Sequence, residues 1–395
     1  MSGVDGLNGL PLGSGRPPML THLRPQAHAR TRTRLNGSIL LPAPAGPQLP
    51  SQYFRETSMD VKEPGAPGSP RQATKRTSRK AKREIRQKAK NVQAVVAIAF
   101  AAFVVIIAAM SSPAISTLNK RLFNAATYSR IQHVWFGDLP SSATTAPSDI
   151  AKKWFGAGPP EDKAAFDKTC TSAFRDALVS VGPKAYPLPA LDAPGNSSYA
   201  AELAHAPTIA APFAAALTDA AQEKEGSGSG GSSDIRAREE GAADAALSLI
   251  LLLDQLSRNI FRTDQKLVYG HYDRLSRSLL RHVLATSPRA DLHPKFRAKP
   301  VFRMWFYMPL MHSEFLEDHR RYKALAAELL AELEARGDKE AEEYVRQSMD
   351  FGERHTSIIE KFGRYPYRNE IMGRKTTKEE NEWLEAGGET FGTGK

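Results

Sequence analysis

The strongest hydrophobic pattern in the chain lies between Ala242 and Arg262, in the string AADAALSLILLLDQLSRNIFR. Apolar residues recur there at the spacing of one face of an α-helix. Polar residues enter towards the end, where Asp254 and Arg258 stand four positions apart and can pair on the helix surface. We therefore predict a core helix whose last turns carry charged side chains. Its apolar stripe consists of Leu249, Leu252, Leu253, Leu256 and Ile260.

Helical periodicity continues through the rest of the C-terminal half, and no stretch alternates as a strand would. Thr376 with Glu379 and Thr377 with Glu380 both fit a capping box, and Pro309 indicates a turn. These features predict an all-α fold of antiparallel helix pairs, a domain that spans about residues 130–392. The predicted helices are 116–136, 149–178, 242–261, 264–285, 313–336 with Ser313 as its cap, 338–362 and 378–386.

Two stretches have the composition of disordered chain. Residues 1–91 are rich in Pro, Gly, Ser, Arg and Lys, so they cannot bury enough apolar surface to fold. An Arg-rich, acid-poor leader is also typical of mitochondrial targeting, and this alternative is left open. Residues 182–240 combine repeated prolines with a Gly/Ser run. We predict a disordered insertion there, in which residues 200–222 can form a short Ala-rich helix.

A second apolar run, residues 92–112, carries no charge and directly follows a dense stretch of Lys and Arg. Its length is close to the roughly 20 residues that cross a bilayer core. A cleaved signal would lie at the N-terminus, and a buried core helix is rarely apolar on every face. The pattern predicts a single-pass transmembrane helix with the N-terminus on the cytoplasmic or matrix side, in a membrane that the sequence does not identify.

Charge and cysteine content remove some classes of function. The formal net charge of +11 comes largely from the N-terminal third, whereas the C-terminal helices mix both signs. This distribution argues against nucleic-acid binding. The chain has one cysteine, Cys170, so an intrachain disulfide framework and a cysteine-based zinc site are excluded.

Four short polar clusters lie at or near the predicted helix ends. Because the ends of adjacent antiparallel helices meet, the clusters can share one site. The members that carry candidate chemistry are Asp254, Arg258, Asn259 and Arg262; His312 and Glu314; His355 with Glu360; and Arg364, Arg368, Asn369 and Arg374.

The same segments resemble a known family. The strings LILLLDQLSRNIFR, FYMPLMHSE and ERHTSIIEKFGRYPYRN, with VWFGDL and KKWF upstream, resemble domain of unknown function 924, which is found in bacteria and fungi. The resemblance covers about Val134 to Gly392. It implies a tetratricopeptide-like array of paired helices, although the tetratricopeptide sequence repeat itself is not visible here. It implies no reaction, because the family has no agreed activity, and the cofactor is left unknown.

The clusters allow several kinds of chemistry. As catalytic candidates, His312 or His355 would do acid/base work with Glu314 as a partner. Arginines suit a small phosphate or carboxylate, so the ligand-binding candidates are Asp254, Arg258, Asn259, Arg262, Arg364, Arg368 and Asn369. Metal binding by His312, Glu314, His355 and Asp254 is the weaker hypothesis, and a metal-dependent hydrolase ranks lowest.

A structural explanation competes with the catalytic and the ligand-binding hypotheses. Asp254, Glu314 and Glu360 can pair with the arginines in a network that fixes helix packing. The chain would then be a scaffold that binds a peptide or protein partner, and whether it is an enzyme is left open. The location of the polar clusters distinguishes a small-molecule site from a scaffold: clusters in one closed pocket favour a small molecule, and clusters along an open concave face favour a scaffold. The Trp305, Phe306 and Tyr307 triplet indicates core packing rather than an aromatic cage.

Overall fold

The structure, a computed structural model, describes residues 117–190, 198–225 and 232–391. Over these ranges every regular element is helical and no strand occurs, which confirms the all-α prediction. The predicted leader, residues 1–91, and the predicted transmembrane helix, residues 92–112, lie outside the described residues. None of the described helices is long and apolar enough to pass through a bilayer.

The helices are numbered α1 to α10 in chain order, and α5 and α6 each contain a π-helical turn. Short 3-10 turns occur at Ala290–Leu292 and Pro366–Arg368. The bounds are α1 Ala125–Phe136, α2 Ser148–Phe155, α3 Pro160–Ser180, α4 Tyr199–Glu225, α5 Ser232–Ile250 continued by π-helical Leu251–Leu256 and Ser257–Ile260, α6 Gln265–Leu267 continued by π-helical Val268–Tyr272 and Asp273–Ala285, α7 Pro300–Met311, α8 Leu316–Glu334, α9 Lys339–Phe362 and α10 Lys378–Glu385.

Helix α5 is the central helix of the core. It begins at Ser232 rather than at the predicted Ala242 and contacts α1, α4, α6 and α7. From Ala243 to Leu256 it is buried on nearly every side, so the predicted stripe is only part of its buried surface. Ile250 and Leu251, which the stripe omits, are as fully buried as Leu252 and Leu253. The π-helical turn then widens the helix at the point where Asp254 occurs, a feature frequent at functional sites.

Within the predicted insertion at 182–240, the Ala-rich helix predicted at 200–222 is present as α4, whereas disorder is the wrong prediction for the described residues that α4 and the start of α5 cover. Helix α4 packs along α5. Gly241 allows the close approach, because a Cβ there would collide with the carbonyl of Ala220. Pro212 lies inside α4 and frees the carbonyl of Thr208, to which the hydroxyl of Tyr186 donates at 3.1 Å. Prolines that indicated a loop are thus tolerated inside a helix.

Helix α7 was not predicted, and Pro309 lies inside it rather than in a turn. The helix is almost entirely buried, so its sequence shows no amphipathic period. Pro300 occupies the first turn, where a missing N–H costs nothing. The helix ends beside His312, which brings that side chain to the end of a rigid core element.

Helices α8 and α9 form the clearest antiparallel pair, joined by the short loop 335–338. A Cβ at Gly352 would meet the ring of Tyr322, so glycine permits the close contact between them. Ser313 does not cap α8, whose first residue is Leu316; its hydroxyl donates instead to Asp318 at 2.7 Å. At α10 the capping box is the one formed by Thr377 and Glu380.

Candidate functional site

Several of the predicted polar residues open onto one cavity of about 530 Å³, which we call the site cavity. This volume is in the range of small-molecule sites, roughly 300–1,000 Å³. Its wall comes from the end of α1, from α2, the start of α3, the C-terminal part of α5, the π-helical turn of α6, the second half of α7, and α9 with the following turn. The predicted site residues that line it are Arg258, Asn259, Arg262, His312, His355 and Arg368.

Asp254 and His312 form a hydrogen-bonded pair at this cavity. Nδ1 of His312 lies 3.0 and 3.1 Å from the two carboxylate oxygens of Asp254. Asp254 is fully buried, whereas the His312 side chain is 18% exposed. Because the carboxylate can only accept, Nδ1 carries the hydrogen of this contact, and Nε2 is the nitrogen that has a lone pair whenever the imidazole is neutral. Burial alone would raise the pKa of Asp254, but the charges of His312 and Arg258 hold that pKa below its ordinary value.

Arg258 pairs mainly with Asp273 on α6, a carboxylate that sequence reasoning missed. Its Nη1 and Nη2 lie 2.8 and 3.1 Å from the two oxygens of Asp273. The distance from Arg258 to the Asp254 carboxylate is 3.7 Å, so the predicted pair exists but is the weaker contact. Asp273 is also 3.8 Å from Nη1 of Arg368. Two arginines therefore share one buried carboxylate.

Arg368 is almost completely buried, with 5% of its surface exposed. Its Nη1 donates to the backbone oxygen of His312 at 3.0 Å. The guanidinium lies over the rings of Tyr269 and Tyr365, 4.3 and 4.4 Å from their centroids. Its Nε has no hydrogen-bond partner among the described residues. Arg368 is thus a rigidly held cation with a donor to spare.

His355 also reaches the cavity, but its environment keeps it neutral. Burial lowers its pKa from 6.5 to about 2. Its Nδ1 lies 3.0 Å from the backbone oxygen of Phe351, and its ring stacks on Phe391 with centroids 3.5 Å apart. The ring centroid of His312 is 6.4 Å away. His355 can therefore accept a hydrogen bond in the cavity but does not supply a second proton to it.

Asn259 and Arg262 meet at the outer edge of the cavity, where both bind Asp167 of α3. The amide of Asn259 donates to Asp167 at 2.9 Å, and Arg262 makes a two-nitrogen contact at 2.5 and 2.7 Å. The Arg262 side chain is 41% exposed. The sequence prediction assigned Asp167 no role, because its contact with α5 joins residues 92 and 95 positions apart in the chain.

Glu314, Arg364 and Asn369 do not line the site cavity. Glu314 accepts from both terminal nitrogens of Arg374, at 2.6 and 2.9 Å. Arg364 and Asn369 both bind Glu380 at the start of α10. We call these five residues the C-terminal cluster. Together they hold the segment after α9 in place.

Glu360, predicted as an arginine partner, is exposed on α9 and forms no ion pair within the described part of the chain. The side chain therefore belongs neither to the site cavity nor to the C-terminal cluster.

Aromatic side chains form much of the cavity wall, which sequence reasoning also missed. Trp305, assigned to core packing, lies in the wall with Trp135 and Trp154. Its ring centroid is 4.9 Å from the centroid of each of the other two. An apolar aromatic triplet correctly indicates burial, but burial does not exclude a place in a cavity wall: all three tryptophan rings are buried, yet they border the cavity. The buried lining atoms without a hydrogen-bond partner in the described residues are Trp135 Nε1, Tyr269 Oη, Trp305 Nε1 and Arg368 Nε.

Comparison with known proteins assigns the family. The profile of a family described as bacterial protein of unknown function (DUF924) matches residues 131–388. The chain belongs to this family. No curated protein matches the chain. A solved structure of a protein of unknown function from Agrobacterium tumefaciens is 25% identical over 60% of this chain and 96% of that one, with a TM-score of 0.31.

The metal hypothesis has little geometric support in this DUF924 chain. Of its four candidate ligands, Glu314 is engaged by Arg374, and His355 uses Nδ1 on a backbone oxygen. Only Asp254 and His312 are in contact. Across the described residues, no three His, Cys, Asp or Glu side chains come together as a metal site would require.

Proposed function

We propose that this chain binds a small anionic molecule in the site cavity and that His312, oriented by Asp254, acts on it as a general base. The observation that carries the proposal is the hydrogen-bonded pair of Asp254 and His312 at a cavity that Arg368 also lines. A carboxylate on Nδ1 leaves Nε2 to take a proton, which is the arrangement that base catalysis by histidine uses.

Arg368 supports the anion-binding half of the proposal. It carries an unpaired Nε and is held between tyrosine rings, so it loses little freedom when a ligand binds. The carbonyl of His312 accepts from the same guanidinium at 3.0 Å, which places the base next to the anion site. The hydrogen bond between the Arg368 guanidinium and the His312 backbone thus fixes the cation relative to the base.

The lining also restricts the kind of reaction. It contains no Ser, Thr or Cys among the described residues, so it offers no aliphatic hydroxyl and no thiol as a nucleophile, and its side-chain hydroxyls are the phenols of Tyr269 and Tyr367. Cys170 is fully buried, and burial raises the pKa of its thiol to about 12. A base at His312 would therefore activate a water molecule or a hydroxyl group of the ligand itself.

The test is calorimetric titration of the full-length chain with acetate, benzoate, inorganic phosphate and phenyl phosphate. We expect at least one of these anions to bind, and Arg368→Met to weaken it by about tenfold or more, since a buried charged hydrogen bond contributes roughly 1.5–3 kcal/mol. Arg336→Met, at the exposed end of α8, is the matched control and should change nothing. If no anion binds, the proposal is wrong.

The base role has its own measurement, hydrolysis of 4-acetoxybenzoate, an ester that carries the carboxylate which the site is proposed to bind. His312→Gln should lower the rate by about 10²–10⁴-fold relative to the unmodified chain, while binding of the anion persists. Equal rates for both chains would remove the base role and leave only binding.

The scaffold is the alternative if neither result is obtained. A tetratricopeptide-like array would use a concave helical face, and the C-terminal cluster would then hold its helices in register. We also keep the proposal of a transmembrane helix at residues 92–112, on the strength of its uncharged sequence alone. Carbonate extraction of membranes tests it: release of the intact chain would rule it out.

A further inference from the structure

We infer that the anion is an aromatic carboxylate, with its ring against the three tryptophans and its carboxylate at Arg368. This inference rests on the proposed function, because it names the class of ligand for the same cavity. It depends on three features: the polarity of the unpaired groups, the charge balance and the aromatic wall.

The unpaired buried groups of the wall are all able to donate. Trp135 Nε1, Trp305 Nε1 and Arg368 Nε can only donate, and Tyr269 carries a hydroxyl hydrogen. Buried polar groups are normally hydrogen-bonded, so a set of one polarity indicates a ligand rich in acceptors. A carboxylate has two oxygens and about four acceptor positions, which meets several such donors at once.

The charge balance favours a single negative charge. Around the pair of Asp254 and His312, the two positive charges of Arg258 and Arg368 are balanced by the two negative charges of Asp254 and Asp273. Arg262 is matched by Asp167 in the same way. Near the mouth the lining adds Lys152, Lys153 and Lys163, partly balanced by Asp149 and Asp162. A dianion such as a phosphate monoester would exceed the positive charge that these pairs leave.

The tryptophan wall matches a flat ring. Trp135 and Trp305 meet edge to face, with an interplanar angle of 90°, and Trp154 meets Trp305 at 72°. Such walls present both ring faces and ring edges, and an aromatic ligand gains ring contacts there beyond the burial of its area. The indole N–H groups of Trp135 and Trp305 are buried in this wall and have no hydrogen-bond partner among the described residues.

Phe155 extends this wall to the surface. It is 63% exposed, and its ring stacks towards Trp305 with centroids 6.5 Å apart. A large exposed apolar side chain at a cavity mouth, beside Lys152, suits the entry of a molecule with an apolar body and a charged end.

The experiment compares 2-naphthoate with its saturated counterpart, decahydro-2-naphthoate, by calorimetric titration of the full-length chain. The two have the same charge and similar size, so their difference reports the ring. We expect 2-naphthoate to bind at least tenfold tighter. Phenyl phosphate, a dianion, should bind more weakly than benzoate at pH 7.5, where its second proton is lost.

Two conservative variants test the donors: Tyr269→Phe removes only a hydroxyl, and Trp305→Phe removes the indole N–H together with part of the ring. Trp305→Phe and Tyr269→Phe should each weaken 2-naphthoate by about threefold to tenfold and should leave the folded structure intact by circular dichroism. Trp383→Phe is the matched control, because Trp383 packs on Phe362 and does not line the cavity. Its affinity should equal that of the unmodified chain.

The outcomes separate the two proposals. Equal affinity for 2-naphthoate and its saturated counterpart overturns the aromatic inference and leaves the anion site standing. Tighter binding of phenyl phosphate than of benzoate overturns the single-charge inference. Failure of every carboxylate and phosphate to bind removes the proposed function together with this inference.

Discussion

The site cavity and the C-terminal cluster are built from the same residue types but end in different states. In the C-terminal cluster, Arg374 and Arg364 each place two nitrogens on a carboxylate, Glu314 and Glu380 respectively. At the cavity, Arg368 shares Asp273 with another arginine and keeps an unpaired Nε. Asn369 Oδ1 and Arg374 Nε are also unpaired, but neither residue lines the site cavity.

The difference separates a structural role from a binding role. A carboxylate with two matched arginine contacts is an interaction completed within the chain, and its loss should mainly cost stability. A hydrogen-bond donor that has no partner within the chain and belongs to a cavity-lining residue can instead donate to a bound ligand. The two regions should therefore respond to mutation in opposite ways, and the following predictions test this, from the largest expected effect to the smallest.

Glu314→Ala should have the largest effect on stability. It leaves Arg374, whose side chain is 14% exposed, without its carboxylate, and breaking a pair of this kind costs about 3–5 kcal/mol. Denaturant unfolding measures the loss. Glu360→Ala, on the exposed side of α9, is the control and should stay within about 0.5 kcal/mol. Loss of 2-naphthoate binding by folded Glu314→Ala would place Glu314 in the ligand site and contradict the separation.

The cavity region should also control how stability responds to mild acid. Burial lowers the pKa of His355 from 6.5 to about 2, so the unfolded chain takes up a proton that the native chain refuses. Stability should therefore fall as the pH drops below 6.5, by up to about 1.4 kcal/mol per pH unit. Unfolding midpoints at pH 7.5 and 5.5 measure this loss, and His355→Phe should reduce it. His271 and His319, whose pKa values burial also lowers, should keep part of it.

In the C-terminal cluster, stability responds to acid at a lower pH than at the cavity. The hydrogen bond that Glu380 accepts from Arg364 is the main cause that lowers the pKa of Glu380 from 4.5 to about 2. Its stabilising contribution is complete above 4.5 and is lost as the pH falls towards 2. An unchanged loss between pH 7.5 and 5.5 in His355→Phe would show that the cavity histidine does not carry the mild-acid response.

Thr377→Ala should cost about 1 kcal/mol, because Thr377 accepts from the backbone N–H of Glu380 as the cap of α10. Thermal unfolding measures it, and binding of 2-naphthoate should not change. Thr376→Ala is the matched control, since the sequence offered both threonines as caps and the structure uses only Thr377. An equal loss in the two variants would mean that the cap is not specific.

Arg262→Ala should have the smallest effect, below about 1 kcal/mol, because the pair with Asp167 lies at a partly exposed edge. A double-mutant cycle with Asp167→Ala measures the coupling between the two side chains. A coupling above 3 kcal/mol would show that this edge is part of the rigid frame rather than the mouth of the cavity.

Much of the fold could be predicted from residue order alone. Helices with one apolar face, such as α8 and α9, were predicted within a few residues, because a helix half exposed to water carries a visible period. Helix α7 was not predicted, since a helix buried on every side loses that period. The start of α5 was missed because its residues are mostly polar, largely exposed and preceded by a Gly/Ser run. The helix of α4 was predicted at 200–222, but its prolines and the Gly/Ser run led to its placement inside a disordered insertion.

The candidate site could be predicted only in part. Sequence reasoning singled out His312, Arg258 and Arg368, which line the cavity, but it grouped them with Glu314 and Arg364, which do not. It missed Asp273, and it assigned Trp305 to core packing rather than to the wall of the cavity. A polar residue near a helix end looks the same in the sequence whether its partner is another side chain or an open volume.

The sequence by itself determined which segments are helical and apolar and which short strings carry charge. Those are local properties, because hydrophobic period and capping depend on residues within a turn or two. Only the tertiary structure decided which arginine is paired, which histidine meets Asp254 and which donors are left over. Such pairings join residues far apart in the chain, 58 positions in the case of Asp254 and His312, so they depend on how the helices pack.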